Sequence, residues 1–87
     1  MRRIHLSNSS LVALIDDEWA HLRDVPWYLN NGYAARMAPK FKGRRRILYL
    51  HRVVAGVQDE ETGIKISRRR VRIRGHNRLD NRLSNLN

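Results

Sequence analysis

Apolar positions along the chain fall in short runs separated by turn-forming residues. Ile4 and Leu6, then Leu11 to Ile15, predict two short strands around the turn residues Ser7-Asn8-Ser9-Ser10. Asp16-Asp17-Glu18 opens a stretch with apolar Trp19 and Leu22, which fits a short helix with acids at its positive end, limited by Pro26. Trp27-Tyr28-Leu29 and Tyr33 to Met37 flank Asn30-Asn31-Gly32, and Asn-Gly supplies the positive backbone angles of a tight hairpin. Ile47 to Leu50 is a third strand that pairs with the second, giving a three-stranded antiparallel meander. His51 to Val57 either prolongs that strand or turns into a short helix ending near Gly56; the period does not decide.

Past a polar turn at Asp59 to Gly63, Ile64 and Ile66 alternate with Lys65 and Ser67, and Arg70-Val71-Arg72-Ile73-Arg74 alternates again in shifted phase. A strand there packs Val71 and Ile73 on one face and presents three cations on the other. Gly75-His76-Asn77 turns the chain, and Asn77 or Asp80 caps a last short helix carrying Leu79, Leu83 and Leu86. A chain of 87 residues has material for one small domain, residues 1–87. The expected fold class is α+β: a sheet-containing part over 1–57, then a small ββα-like part over 58–87.

Charge sharpens this picture. Residues 1–35 carry Arg2, Arg3 and Arg23 against Asp16, Asp17, Glu18 and Asp24, so they are close to neutral. From Arg36 onward, fifteen Lys or Arg face only Asp59, Glu60, Glu61 and Asp80, a surplus of +11 that calls for a polyanionic partner. Arginine outnumbers lysine fifteen to three, and its planar fork fits phosphate oxygens and guanine edges in pairs, which favours nucleic acid over a membrane surface. Without cysteine there is neither a disulfide framework nor a thiolate metal site, which makes a cytoplasmic home the expectation. No apolar run approaches the roughly 20 residues of a membrane helix, and Met1-Arg2-Arg3 is not followed by the apolar stretch of a signal peptide.

Two segments carry a resemblance. Trp27 to Arg36, followed by Tyr49-Leu50-His51-Arg52-Val53-Val54, resembles the front part of phage-type HNH homing endonucleases, and Leu79-Asp80-Asn81-Arg82-Leu83-Ser84-Asn85-Leu86 resembles the end of their nuclease motif. Val12 to Glu18 is similar to a segment that often precedes them. The resemblance implies a DNA-reading three-stranded sheet followed by a ββα-metal unit that cuts one strand with a divalent ion, and it favours duplex DNA over RNA. The motif is degenerate here. Counting back from Leu79 without a gap sets Arg72 on the family's metal-binding aspartate and Ile73 on its base histidine. Arginine repels a cation and isoleucine accepts no proton, so no metal and no cofactor is expected. Under the alternative of an active nicking endonuclease, which needs Mg2+ or Mn2+, His76 stands in as the base and Asn85 matches the asparagine that orients it. His51 falls in the family's histidine-arginine pair and is expected as a hydrogen-bonded structural residue.

The expected activity is therefore binding without cutting. Arg36, Lys40, Lys42, Arg44, Arg45 and Arg46 contact one stretch of phosphate backbone from the sheet and its loop, and Arg68, Arg69, Arg70, Arg72 and Arg74 another. Arg52, Arg78 and Arg82 complete the basic set, and base selectivity is expected from arginines reaching guanine edges from the sheet. Trp19, Trp27, Tyr28, Tyr33 and Tyr49 are expected first in the core, with Phe41 the candidate for stacking on a base. The other alternative is a part in a large nucleoprotein complex, either embedded in a ribosomal-type RNA assembly or, as a phage-encoded protein, docked on a host nucleic-acid enzyme.

Overall fold

The computed structural model describes all residues, Met1–Asn87. The fold is α+β. β1 (Arg2–His5) and β2 (Val12–Ile15) form an antiparallel hairpin with Ile4 opposite Ala13. β3 (Tyr28–Asn30), β4 (Tyr33–Met37) and β5 (Ile47–Tyr49) form the expected three-stranded antiparallel meander, followed by α1 (Leu50–Val54). A 3-10 helix, Asp17–Asp24, links the two sheets. It is kinked at Trp19 (φ −102°, ψ 16°) where the acidic residues had predicted a plain short helix. No helix is long and apolar enough to cross a membrane.

Both turns of the meander are set by local chemistry. Asn31 (φ 52°) and Gly32 (φ 85°) are the two residues between β3 and β4, the pair of positive angles that a type I′ hairpin demands. Lys42 (φ 49°) and Gly43 (φ 77°) repeat the device, and Phe41 and Arg44 exchange backbone hydrogen bonds of 2.8 and 3.0 Å around them. The segment 38–46 is thus the tip of the β4–β5 hairpin.

After β5 the chain turns helical, which settles the open question over His51 to Val57. Leu50, Val53, Val54 and Val57 are buried, a 3–4 spacing that points one helical side inward. The helix ends in a Schellman motif: Val57 N–H donates to Arg52 C=O at 3.0 Å and Gly56 N–H to Val53 C=O at 3.1 Å, with Gly56 at φ 79°.

Side-chain amides close both edges of the sheet. Asn8 Oδ1 accepts from Leu29 N at 2.6 Å, while its Nδ2 donates to Leu29 O at 3.0 Å. On β5, the buried Gln58 accepts from Tyr49 N at 3.1 Å and donates to Ile47 O at 2.9 Å and Gly63 O at 2.8 Å. Each amide completes ladder bonds that an exposed edge leaves open to other strands.

Residues 58–87 depart from the expected ββα arrangement: they contain no regular strand and no α-helix, only a 3-10 turn at Leu83–Asn85. The expected strands at 64–67 and 70–74 do not join the meander, because Gln58 occupies the edge of β5. What remains is one bridge, Gln58 with Lys65, and a short pairing with the chain end, in which Arg72 and Asn87 exchange bonds of 3.1 and 2.9 Å. Alternation survives without the strand: Val71 and Ile73 are half-buried, while Arg70, Arg72 and Arg74 are exposed. The expected final helix fails because Leu79–Asn81 is drawn alongside β2. Leu14 N donates to Leu79 O and Asn81 N to Leu14 O, each at 2.8 Å. Extended backbone there leaves only the last residues to coil.

Candidate nucleic-acid interface

Strand register divides the sheet into two faces. Ala35 opposes both Tyr28 and Tyr49, and Met37 opposes Ile47, so one face carries Tyr28, Asn30, Tyr33, Met37, Ile47 and Tyr49. The other carries Leu29, Ala34, Arg36 and Leu48 against the core. No arginine of the strands themselves projects from the outer face; the guanidinium groups that stand over its rings, Arg52 at Tyr49 and Arg78 at Tyr33, come from outside the sheet. Arg36 instead lies with its guanidinium carbon 5.9 Å from the Trp27 ring centre and its Nε buried. Arg46 is half-buried, with one terminal nitrogen buried. Lys40, Lys42, Arg44 and Arg45 are exposed at the hairpin tip, where Lys42 Nζ sits 5.6 Å from the centre of the half-buried Phe41 ring.

Two adjoining clefts gather seven of the remaining nine cations. One, of about 400 Å³, lies between the end of α1 and the segment 65–72, walled by Arg52, Lys65, Ser67, Arg68, Arg69, Arg70 and Arg72 with Val57 and Val71. The other, of about 430 Å³, shares Val71 and Arg72 and adds Tyr33, His51, Ile73, Gly75, His76 and Arg78. Neither has a carboxylate in its wall. Arg52 lies 5.5 Å over the Tyr49 ring and Arg78 5.2 Å over Tyr33, and Arg78 also donates to Asn31 O at 3.2 Å. Arg74 is exposed and lines neither cleft. Sequence reasoning missed Lys65, Tyr33 and His51 as cleft residues: the chain reversal at Asp59–Gly63 brings in Lys65, and the return of residues 71–78 past β4 and α1 brings in the other two.

Three of the four acids of the basic half are engaged elsewhere. Asp59 accepts from Glu61 N at 2.8 Å and Thr62 N at 2.9 Å, and these bonds, led by that from Thr62, hold its carboxyl below the ordinary aspartate range. Glu60 meets His21 at 2.9 Å. Asp80 takes a two-pronged contact from Arg82, at 2.8 and 2.7 Å, which holds it low as well. Arg82 is thereby closed onto its own chain. The other fourteen Lys and Arg beyond residue 35 have no carboxylate oxygen within 4.0 Å.

His51 differs from the hydrogen-bonded residue expected. Its Nδ1 is buried without a partner, and its ring packs 5.0 Å from Tyr33 and 5.8 Å from Tyr49. Burial, helped by the neighbouring Arg52 charge, pushes its pKa from 6.5 down to about 4, so it is neutral at pH 7.

The groups required for cutting are not assembled. Asn85 Nδ2 donates to Asp80 O at 3.0 Å rather than to a histidine. His76 is exposed in the second cleft, among Arg72, Arg78 and His51. No three His, Asp or Glu side chains cluster to hold a metal. The divalent ion that the resemblance implies does not fit a donor set of two imidazoles between guanidinium groups. No protein-family model, curated protein or solved structure matches the chain.

Proposed function

We propose that the protein binds nucleic acid, duplex DNA foremost, as a degenerate relative of HNH homing endonucleases that grips without cutting. The observation that carries this reading is the set of fourteen cations beyond residue 35 without a carboxylate partner. Such a surface repels itself in the free protein and gains when phosphates displace their counterions onto it. The hairpin tip, with Lys40, Lys42, Arg44 and Arg45, takes one stretch of backbone; Arg68, Arg70, Arg72 and Arg74 take another, with Arg78 beside them. Arg36 and Arg46 brace the hairpin from its inner face. The preference for duplex DNA is supported by the HNH-like segments Trp27 to Arg36 and Leu79 to Leu86.

Neutralising six to ten phosphates makes affinity fall by roughly three to five decades between 50 and 200 mM salt. Fluorescence anisotropy with labelled duplex DNA, single-stranded DNA and structured RNA at those two salt concentrations, each with and without Mg2+ or Mn2+, tests the reading. A flat salt response overturns the phosphate mechanism. Tighter binding to structured RNA than to duplex transfers the protein to the nucleoprotein-assembly alternative. Divalent-dependent nicking that His76→Ala abolishes restores the nuclease.

A further inference from the structure

The cleft between α1 and the segment 65–72 holds more positive charge than a length of backbone matches. Six cations, Arg52, Lys65, Arg68, Arg69, Arg70 and Arg72, surround about 400 Å³, and Ser67 adds a hydroxyl. Their side chains make a single hydrogen bond to protein, from Arg69 Nη2 to Ala55 O at 2.9 Å. That volume lies toward the lower end of the roughly 300–1,000 Å³ typical of small-ligand pockets. A nucleic-acid strand brings one charge per phosphate, about 3.4 Å apart along the helix axis, so it sets one or two charges against the six cations. The surplus repulsion persists unless the anion is denser. A 5′-triphosphate is denser: its terminal phosphate alone carries close to −2, about what one or two backbone phosphates supply, and two more ionised phosphates follow it. Its terminal oxygens also suit the paired donors of guanidinium forks.

The second cleft lies where a nucleoside attached to that triphosphate belongs. It meets the first at Val71 and Arg72, and it offers the half-buried Tyr33 ring and the exposed His76 imidazole. Aromatic rings accept a base by stacking, whatever its identity. We propose that the 65–72 cleft is a binding site for a 5′-triphosphate, carried by a free nucleotide or by the end of an RNA chain. The proposal rests on charge density within one cleft and goes beyond the duplex reading, which needs only charge spread along a surface.

Calorimetric titration with EDTA present tests it, using inorganic tripolyphosphate, ATP, and one short RNA prepared with either a 5′-triphosphate or a 5′-hydroxyl. The expected results are one tripolyphosphate per chain and, for the triphosphorylated RNA, affinity at least about tenfold above its hydroxyl twin. ATP binding as tightly as that RNA identifies a free nucleotide as the ligand; a clear advantage for the RNA identifies the chain end. The double variant Arg68→Ser, Arg70→Ser changes two exposed side chains. It is expected to abolish the triphosphate preference while weakening duplex DNA only by the salt-dependent share of two contacts. Unchanged circular dichroism confirms that it is folded. Equal affinity for the two RNAs, or no saturable tripolyphosphate binding, overturns the proposal even where duplex DNA still binds. Tripolyphosphate binding without any duplex binding sustains it and removes the polymer reading instead.

Discussion

Twelve of the thirteen side chains in the main apolar core come from Ile4 through Val54, and the thirteenth, Leu79, is the one contribution from the rest of the chain. Exposed cations are denser in the rest of the chain. Eight of the fifteen cations beyond residue 35 follow Val54, and the strip from Ile64 to Arg70 is wholly exposed. The first region closes its own backbone: two hairpins, a helix ended by a Schellman motif and both sheet edges met by amides. The second is fastened at a few points, chiefly Leu79–Asn81 along β2 and Ile66 N on Val57 O at 2.9 Å. Between these points it displays like charges that no part of the fold neutralises. A scaffold is recognisable by backbone pairing that is complete, a binding element by surface charge left open.

If the division is real, truncating the scaffold is the most damaging change. Trp27 is almost completely buried, and its Nε1 donates to Leu22 O at 2.8 Å. Trp27→Ala is expected to destabilise the protein by about 3–5 kcal/mol, a large share of what a domain this small possesses, as read by urea denaturation. Next comes the clasp between the regions. Leu79→Ala is expected to remove about 2–5 kcal/mol. Its signature is regional: hydrogen exchange quickens from Asp59 onward while β3 to β5 stay protected. Uniform loss of protection across both regions breaks the comparison.

The scaffold was also the region legible in the sequence, because its signals are local. Asn31-Gly32 dictates its own turn, and the run Ile47 to Leu50 needs only the neighbouring hairpin to pair with. The helix at Leu50–Val54 was left open because five residues hold barely one period, and its Gly56 terminus shows only in backbone angles. In the second region the alternation of Arg70 to Arg74 was genuine, but a strand needs an edge, and the side chain of Gln58 fills that edge from a distance no local pattern reports. The same holds for Leu79, which looked helical and was drawn alongside β2. Of the candidate site, the cations were legible as charge, while their grouping with Arg52 and Lys65 was not. The inward turn of Arg36 did have a signal. A two-residue hairpin loop fixes register, and register puts Arg36 on the face of Ala34 and Leu29.

Acid sharpens the comparison through His51, a scaffold group in the wall of the second cleft. Its folded pKa, about 4, lies below the 6.5 of an unfolded histidine, so the unfolded chain takes up the proton first. Stability is therefore unaffected above pH 6.5, declines as pH falls toward 4, and levels off below that. The slope contributed by this residue is at most about 1.4 kcal/mol per pH unit. Chemical denaturation at a series of pH values checks this, and His51→Phe is expected to flatten that segment of the profile. A profile identical in the variant shows that the burial of His51 is not what the acid acts upon.

The smallest effect separates the regions most cleanly, because its sign is opposite to the others. Arg68 and Arg70 are exposed, neither has a carboxylate within ion-pairing distance, and both stand in a cleft with four other cations. Replacing them with serine removes repulsion and disturbs no packed group. Arg68→Ser, Arg70→Ser is thus expected to raise stability at low ionic strength by a few tenths of a kcal/mol, within the roughly ±0.5 kcal/mol typical of surface changes. The gain should fade near 1 M salt, where the Debye length shrinks to about 3 Å and the clustered charges no longer sense one another. Thermal melts of both proteins across a salt series provide the measurement. A destabilised variant, or a gain indifferent to salt, means that these arginines hold the fold together, and the distinction between scaffold and open binding element fails at its centre.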